Sequence, residues 1–309
     1  MLSRRALLST SLALLSSSTM AQARRVGRLM IIGGAEDKLK DRIILRRFVE
    51  LCGGPTSRIK VISAASSEPV LAWSKYQTVF SELGVDDCLP VAIPDREAAN
   101  ADSVTDGILD ADGIFITGGD QRRLMELIWE TAAFRALHVA FHVRGCCIGG
   151  TSAGAAVLSR NMLAHGGATR LPEKEAAELD IGLGLISGAI IDQHFSERGR
   201  LGRLLSVLAE RPARLGVGVD EDTALIVERG IGVEVIGKGT VTIVDGRNMQ
   251  SNYERIETRE RLELLGVRLH VLPSGNSYKV APRGLRKRHI PSSLLEAVGL
   301  IVEPGPIRG

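Results

Sequence analysis

The first half of the chain alternates short, wholly apolar runs with longer segments in which apolar residues recur at helical spacing. Strands that are apolar throughout are typical of a mostly parallel sheet covered by helices on both faces. The predicted strands are residues 28–34, 58–63, 88–93 and 113–119, with a fifth that leads into residues 146–157. The predicted helices are residues 41–51, 69–83, 97–109 and 121–142.

The second half of the chain is less regular. Residues 161–182 resemble a loop with a short acidic helix, residues 189–195 predict a further strand, and residues 196–210 predict a helix. After them, β-branched runs separated by glycine turns predict antiparallel strands at the sheet edge. These runs are residues 216–223, 224–227, 232–236 and 240–244. Residues 282–309 form a basic tail with one short apolar helix near 292–300, which we expect to be peripheral to the α/β domain of residues 24–281.

The first 23 residues carry the pattern of an export signal. Arg4 and Arg5 precede an apolar, serine-rich run, and Ala21-Gln22-Ala23 has the small-residue spacing of a cleavage site. The paired arginines are typical of a twin-arginine signal. Removal of residues 1–23 lowers the formal net charge from +3 to +1. We therefore predict an exported protein, periplasmic or secreted, that has no membrane span after cleavage.

Composition narrows the function classes. The 309 residues are 44% hydrophobic and 24% charged, and the small net charge and lack of an aromatic-interleaved basic surface disfavour a nucleic-acid partner. The four cysteines include no C-x-x-C pair, which indicates neither a zinc site nor a disulfide framework. We expect no metal and no cofactor. A bond between Cys52 and Cys88 is the one pairing left open, should the compartment be oxidising.

Residues 150–154 have the G-x-S-x-G spacing of a nucleophile elbow, in which Ser152 occupies a strained corner between a strand and a helix. Glycines two residues before and two after the serine lack the Cβ atoms that would collide as the chain reverses. The backbone N–H of Ala153, with one from the turn at Gly119, is the predicted oxyanion site. The alternative is a glycine-rich corner with an incidental serine.

A serine nucleophile needs a base, and the base needs an orienting group. Among six histidines, His194 is favoured because it ends a predicted strand, and His165 is the second choice. Glu221 is favoured as the orienting acid because it also ends a strand, but three other acids stay open: Asp192, Asp220 and Asp222. The order serine, histidine, acid along the chain differs from the order in α/β-hydrolases.

Four motifs in this order resemble those of the cyanophycinases, which belong to a serine peptidase family that also contains dipeptidase E. The motifs are Gly118-Gly119-Asp120-Gln121, residues 150–155, Asp192-Gln193-His194-Phe195 with the arginines at 198, 200 and 203, and residues 218–224. The resemblance covers about residues 26–280. It implies a fold like that of the class I glutamine amidotransferases, which is flavodoxin-like, with serine in place of the elbow cysteine. It also implies a homodimer.

The same resemblance implies the roles of individual residues and the substrate. The catalytic residues would be Ser152, His194 and Glu221. The substrate pocket would contain Gln121, Asp192, Gln193, Arg200 and Arg203, with the two arginines on the aspartyl carboxylate. The substrate would be cyanophycin, a polyaspartate backbone that carries arginine on its side-chain carboxylates, released as β-Asp-Arg dipeptides. Guanidinium groups bind carboxylates bidentately, which by itself favours an aspartyl substrate. Asp192 could instead hold the arginine end of the substrate.

Three other functions stay open at this point. The same chemistry would serve an α-aspartyl or isoaspartyl dipeptidase. A non-catalytic amidotransferase-like binding protein would keep the fold without the reaction. A thiol enzyme that uses Cys147 is disfavoured because this residue lies within a predicted strand. A signal peptide is not a feature of intracellular cyanophycinases, but it would fit an enzyme that degrades polymer released by lysed cells.

Overall fold

The structure, a computed structural model, describes residues 27–281, 289–303 and 305–307. The predicted signal peptide and the basic stretch 282–288 lie outside these residues. The strands are Arg28–Ile32 (β1), Ile59–Ile62 (β2), Cys88–Pro90 (β3), Gly113–Ile116 (β4), Cys147–Thr151 (β5), Asn161–His165 (β6), Glu178–Ile181 (β7), Ala189–Gln193 (β8), Leu215–Val219 (β9), Thr223–Glu228 (β10), Gly232–Gly237 (β11), Thr240–Asp245 (β12), Gln250–Ser251 (β13), Leu264–Leu265 (β14), Arg268–Pro273 (β15) and Asn276–Lys279 (β16). The helices are Ile43–Cys52 (α1), Pro69–Glu82 (α2), Asp102–Leu109 (α3), Gln121–Ile128 (α4), Ala132–His142 (α5), Ala153–Ala156 (α6), Leu201–Glu210 (α7) and Ser292–Val302 (α8).

The main sheet has eight strands in the order β16-β11-β10-β1-β5-β4-β2-β3. The strands from β1 to β3 in this order are mutually parallel, as the alternation of strands and helices predicts. The other three strands run antiparallel to their neighbours. In the register, Ile32 pairs with Thr151, and Ile116 pairs with Gly150. The carboxyl ends of β1, β4 and β5 therefore meet at one edge, where ligand sites of parallel sheets lie.

Each face of the main sheet has its own apolar core. Along β1, Leu29 and Ile31 belong to the core shared with α3, α4, α5 and α8, whereas Met30 and Ile32 belong to the core shared with α1 and α2. A strand buried on both faces carries no polar alternation. The mixed α/β fold, with a large sheet and helices on both of its faces, is therefore confirmed.

A second sheet corrects the prediction for the later strands. Four strands form it in the order β15-β12-β9-β8, and β8 and β9 in it are parallel. Strands β9 and β12 therefore do not extend the edge of the main sheet. Gly216 and Gly218 on β9 leave room for the side chains of Leu204 and Phe195, to which an added Cβ would come within 2.8 and 2.4 Å. β-Branched runs with glycine turns would look the same in either sheet. The sheet to which β9 and β12 belong therefore becomes apparent only from this packing.

Residues 161–182 contain a hairpin, so the predicted loop with an acidic helix is wrong. Strands β6 and β7 pair antiparallel, with an irregular register between Leu163 and His165. In β7, charged and apolar residues alternate as Glu178-Leu179-Asp180-Ile181. This period of two is the signal of a strand, and it outweighs the acidic composition.

Three predicted helices differ from those in the structure. Residues 121–142 form α4 and α5, because Glu130 adopts a φ of 59° and the Thr131 hydroxyl caps α5 by accepting the Phe134 N–H. Residues 97–109 form a short 3₁₀ turn followed by α3. The helix predicted from 196 begins at Leu201, since Gly199 adopts a φ of 58° in the preceding turn.

The apolar helix predicted near 292–300 is α8. Its Leu294, Ala297, Val298 and Ile301 are buried in the larger core of the main sheet. This part of the tail is therefore a structural element of the domain rather than a peripheral one. In the part of the chain that the structure describes, no helix is long and apolar enough to cross a membrane.

Candidate active site

Ser152 lies at the corner between β5 and α6 with φ 54° and ψ −114°. Both motif glycines are required by close backbone approaches. A Cβ on Gly150 would come within 2.1 Å of the Gly154 carbonyl oxygen, and one on Gly154 within 2.2 Å of the Ile116 carbonyl oxygen. Such positive-φ corners cost about 1–3 kcal/mol and persist only where the surroundings hold them. The surrounding backbone therefore holds the elbow in its strained conformation at the edge of the sheet.

Three side chains form one hydrogen-bonded chain at this corner. Ser152 Oγ lies 2.9 Å from His194 Nε2, and His194 Nδ1 lies 2.5 Å from Glu221 Oε1. A carboxylate on one imidazole nitrogen leaves the other nitrogen free to accept the hydroxyl proton. The structure thus brings together the serine, the favoured histidine and the favoured acid from three separate strand ends.

The neighbours of Glu221 serve other purposes. Asp220 is buried and accepts hydrogen bonds from the hydroxyls of Ser196 and Thr240, at 2.6 and 2.8 Å. Asp222 forms an ion pair with Lys238 at 2.7 Å. Of these three consecutive acids, Glu221 alone contacts His194 among the described hydrogen bonds and ion pairs.

The imidazole of His194 packs directly on Gly34, where an added Cβ would lie 2.3 Å from the ring carbon Cε1. Burial lowers the pKa of His194 below its usual 6.5, although the hydrogen bond that His194 donates to Glu221 opposes this shift. The positive charge of Arg198 lowers the pKa further. His194 is therefore neutral near pH 7 and able to accept a proton.

A cavity of about 340 Å³ opens beside Ser152. Four arginines line it, at positions 122, 198, 200 and 203, whereas Asp120 is the one carboxylate among its lining residues in the described chain. Guanidinium groups bind carboxylates in a planar, bidentate way. The cavity is therefore suited to an anionic ligand that extends away from the serine hydroxyl.

Asp192 does not line this cavity, which corrects the expectation for it. Its carboxylate is fully buried and accepts a hydrogen bond from Arg203 Nε at 2.8 Å, with a second bond from Arg203 Nη2. Arg200 Nη1 lies 3.4 Å from the same carboxylate. A buried carboxylate already paired with two guanidinium groups has no free face for a substrate cation. Asp192 supports the arginines from behind.

Two glutamines complete the pocket. Gln193 Oε1 accepts a hydrogen bond from Arg200 Nη1 at 2.8 Å. Burial lowers the pKa of Arg200 to about 10, and its buried Nε has no hydrogen-bond partner in the described chain. The side-chain amide of Gln121 donates to the backbone carbonyls of Leu163 and Ala164 on β6, at 3.0 and 2.7 Å.

The predicted oxyanion donors border Ser152 on two sides. Ala153 follows the serine and begins α6, while Gly119 lines the same cavity. Gly119 adopts a φ of 147°, and a Cβ there would lie 2.1 Å from the Ala65 carbonyl oxygen. Only glycine fits this turn, which holds the backbone of residues 118–119 against the elbow.

His165, the second choice for the base, lines the pocket but is not the histidine that contacts Ser152. The other lining residues of the β6 hairpin, Leu163, Ala164 and Gly166, were not predicted, and the Gly166 carbonyl accepts a hydrogen bond from Arg203. The alternation in β7 is the sequence signal that identifies this hairpin. Glu36, a buried carboxylate whose hydrogen-bond partners include Thr151, was also missed, because nothing in the local sequence indicates its partners.

The cysteines are all buried with free thiols, so the open pairing of Cys52 with Cys88 is not formed. Cys147 is 2% exposed within β5, which rules out the thiol nucleophile. Within the described ranges, no group of three or more histidine, cysteine, aspartate or glutamate residues is suited to hold a metal ion.

Comparisons with known proteins identify the family of the chain. The family model described as Peptidase family S51 matches residues 29–234. The chain is 39% identical over 264 residues to a cyanophycinase from Geminocystis herdmanii, covering 85% of this chain and 95% of the relative. It is 38% identical over 267 residues to one from Synechococcus elongatus, covering 86% and 83%. The crystal structure of a peptidase from an acI-B1 Actinobacterium, 21% identical, superposes with a TM-score of 0.60 over 84% of this chain and 98% of the other, which shows a shared fold.

Proposed function

The chain belongs to peptidase family S51 and is a serine peptidase, and from this premise we propose that it hydrolyses cyanophycin to β-Asp-Arg dipeptides. In this proposal Ser152 is the nucleophile, His194 the general base and Glu221 the orienting acid. One observation carries it: the hydrogen-bonded chain from Ser152 through His194 to Glu221 opens into a pocket rich in arginine.

The acylation step follows from the distances. His194 Nε2 takes the proton of Ser152 Oγ as this oxygen attacks the scissile amide carbonyl. Glu221 accepts the proton-bearing Nδ1 in a hydrogen bond and stabilises the imidazolium that forms. The carbonyl oxygen becomes an oxyanion, and the backbone N–H groups of Ala153 and Gly119 are the proposed donors to it. His194 then passes its proton to the leaving amine, which departs and leaves an ester on Ser152.

Deacylation repeats the sequence with water. His194 takes a proton from a water molecule that attacks the ester carbonyl, and then returns this proton to Ser152 Oγ as the acid product leaves. The enzyme ends in its starting protonation state, and one water has been consumed for each amide cleaved. Every proton transfer uses His194, so its lowered pKa suits the neutral form that each half-reaction requires.

The charge of the pocket supports an aspartyl substrate. Arg200 and Arg203 are held by the buried carboxylate of Asp192, and both line the cavity beside Ser152. The free carboxylate at the end of the polyaspartate backbone would bind these groups. The arginyl side chain of the substrate would meet Asp120, whose Oδ1 caps α4 through the Arg122 N–H at 2.8 Å. A cavity of about 340 Å³ suits one dipeptide unit at a chain end.

Product analysis tests this proposal against an aspartyl dipeptidase of the same family. We expect purified protein to release β-Asp-Arg from insoluble cyanophycin and to leave α-Asp-Arg intact. The measurement is chromatography of the soluble products with mass detection, with heat-inactivated protein as the control. Hydrolysis of α-Asp-Arg with no release from the polymer would reassign the substrate to short α-aspartyl peptides.

The pH dependence tests the role of His194. The imidazole acts as a base only when neutral, and its pKa lies below 6.5 in the folded protein. We therefore expect kcat/KM to decrease as pH falls, with the midpoint of this decrease below pH 6.5. Glu221→Gln removes the carboxylate that raises this pKa, so the decrease should move to still lower pH. A decrease centred above pH 6.5 in the wild type would contradict this assignment.

We also propose three properties that accompany this activity. The export signal of residues 1–23 would deliver the enzyme to the periplasm or the medium, and N-terminal sequencing for cleavage after Ala23 tests it.

The parallel arrangement of β1 to β5 supports a fold related to the class I glutamine amidotransferases. Homodimer formation is supported by apolar side chains exposed at Leu201, Leu269 and Val271, which sedimentation analysis tests.

A further inference from the structure

A buried carboxylate, Glu36, lies behind the nucleophile and has no part in the mechanism described above. Its side chain is 1% exposed, and it follows the glycine pair at the end of β1. Its Oε2 accepts the hydroxyl of Thr151 at 2.6 Å. Its Oε1 accepts the hydroxyl of Tyr76 at 2.5 Å and lies 2.8 Å from Lys38 Nζ.

The three donors account for how this carboxylate can be buried. An isolated buried carboxylate is strongly unfavourable, whereas one that receives several hydrogen bonds and a cation is not. Burial and the charge of Glu36 raise the pKa of Tyr76 well above its usual range, so the phenol keeps the proton that it donates. The hydrogen bonds therefore hold the carboxylate at a defined position.

That position is coupled to the strained elbow. Thr151 is the last residue of β5 and immediately precedes Ser152, whose φ of 54° needs support from its surroundings. The Ser152 N–H is held by the Ile32 carbonyl at 3.1 Å. The hydrogen bond that the Thr151 hydroxyl donates to Glu36 fixes the other side of the same corner, through a side chain rather than the backbone.

The segment that carries Glu36 also contacts the proposed base and the residue next to the proposed acid. The Gly33 carbonyl accepts the His194 N–H at 2.8 Å, and the Gly34 carbonyl accepts the Asp222 N–H at 2.9 Å. Residues 33–36 therefore contact the chain at or next to the proposed nucleophile, base and acid. An error of about 1 Å in such a constellation can cost roughly 100-fold in rate.

We propose that Glu36 is a positioning residue for amide cleavage, and that its hydrogen bond to Thr151 holds Ser152 within reach of His194. This inference rests on the proposed function of Ser152 as the nucleophile. It assigns Glu36 no contact with substrate, so the loss of its bond to Thr151 should slow acylation without weakening substrate binding.

The test compares how fast a serine-directed fluorophosphonate labels Ser152, together with kcat and KM on cyanophycin. Thr151→Val keeps the shape of the side chain but removes its hydroxyl, and Glu36→Gln removes the charge of the acceptor. We expect both to slow labelling and lower kcat by about 10- to 100-fold, with KM changed less than about threefold. Thr151→Ser restores the hydroxyl and should recover most of the rate.

Thr242→Val is the matched control, because it makes the same change at a buried position of β12 outside the elbow. Its labelling rate should stay within about twofold of the wild type. All rates are compared at a temperature at which circular dichroism shows each variant folded. Equal labelling of Thr151→Val and wild type, or equal loss in Thr151→Ser and Thr151→Val, overturns the role of Glu36. Absence of labelling in the wild type instead refutes the nucleophile, so the two failures are distinct.

Discussion

Ser152→Ala should abolish turnover while leaving the protein folded. Removal of the nucleophile in a hydrogen-bonded serine, histidine and acid arrangement lowers kcat by about 10⁴- to 10⁶-fold, because the histidine then has no hydroxyl to deprotonate. The variant loses only one oxygen at the elbow, and the Ser152 N–H keeps its bond to the Ile32 carbonyl. The measurement is the release of β-Asp-Arg from cyanophycin, with the thermal transition recorded beside it.

Cys147→Ala provides the matched comparison, since it truncates another side chain of β5, one that is buried in the core shared with α1 and α2. Its activity per folded molecule should stay within about threefold of the wild type, although the loss of buried volume will lower its stability. Residual cleavage in Ser152→Ala comparable to that of Cys147→Ala would remove the serine from the mechanism. His194→Ala should resemble Ser152→Ala, because the two residues act as one unit.

Asp192→Asn should destabilise the protein by about 3–5 kcal/mol, which corresponds to a fall in Tm of about 6–20 °C. The cause is the removal of the one negative charge that two buried guanidinium groups share. Arg203 is 4% exposed and loses its bidentate partner, and Arg200 is 9% exposed. Breaking a buried pair in this way is costly because the remaining charge has neither water nor a counterion.

The same variant should also raise KM, because the arginines that line the pocket would lose their fixed orientation. Asp106→Asn makes the same chemical change at an exposed position of α3 and should alter stability by less than about 0.5 kcal/mol. Thermal unfolding of both variants, followed by assays at a temperature where both are folded, separates the two effects. If Asp192→Asn is as stable as Asp106→Asn, the buried pair is not what holds the pocket together.

The arrangement has a general consequence for substrate recognition. A pocket that must bind carboxylates needs several cations, and these cations repel one another unless a buried anion holds them. Asp192 provides that anion beneath the pocket, while Asp120 lies at its surface, where the proposed function pairs it with the guanidinium group of the substrate. Buried and exposed carboxylates thus have opposite roles within one small region.

Local sequence was sufficient for several features. The glycines at positions 150 and 154 identified the elbow, because their requirement is steric and acts over a few residues. Continuous apolar runs identified the five parallel strands, because strands buried on both faces cannot alternate. The ends of predicted strands then directed attention to Ser152, after β5, and His194, after β8, whose side chains the structure brings to 2.9 Å.

Tertiary structure decided what depends on partners distant in the chain. The sequence favoured Glu221 but left Asp220 and Asp222 open, and only the turn geometry shows that Glu221 is the one that faces His194. The assignment of β9 and β12 to a second sheet depended on which side chains two glycines admit. The hairpin of β6 and β7 gained its stability from pairing rather than from composition.

The sequence by itself therefore determined the elbow at Ser152, the parallel half of the sheet and the family, because each depends on the spacing of residues that are close in the chain. The tertiary structure alone decided that Asp192 is an internal counterion and that Glu36 bonds to Thr151, 115 positions away. The physical reason is that the state of a buried charge depends on which groups surround it in space. No local pattern of residues specifies those groups.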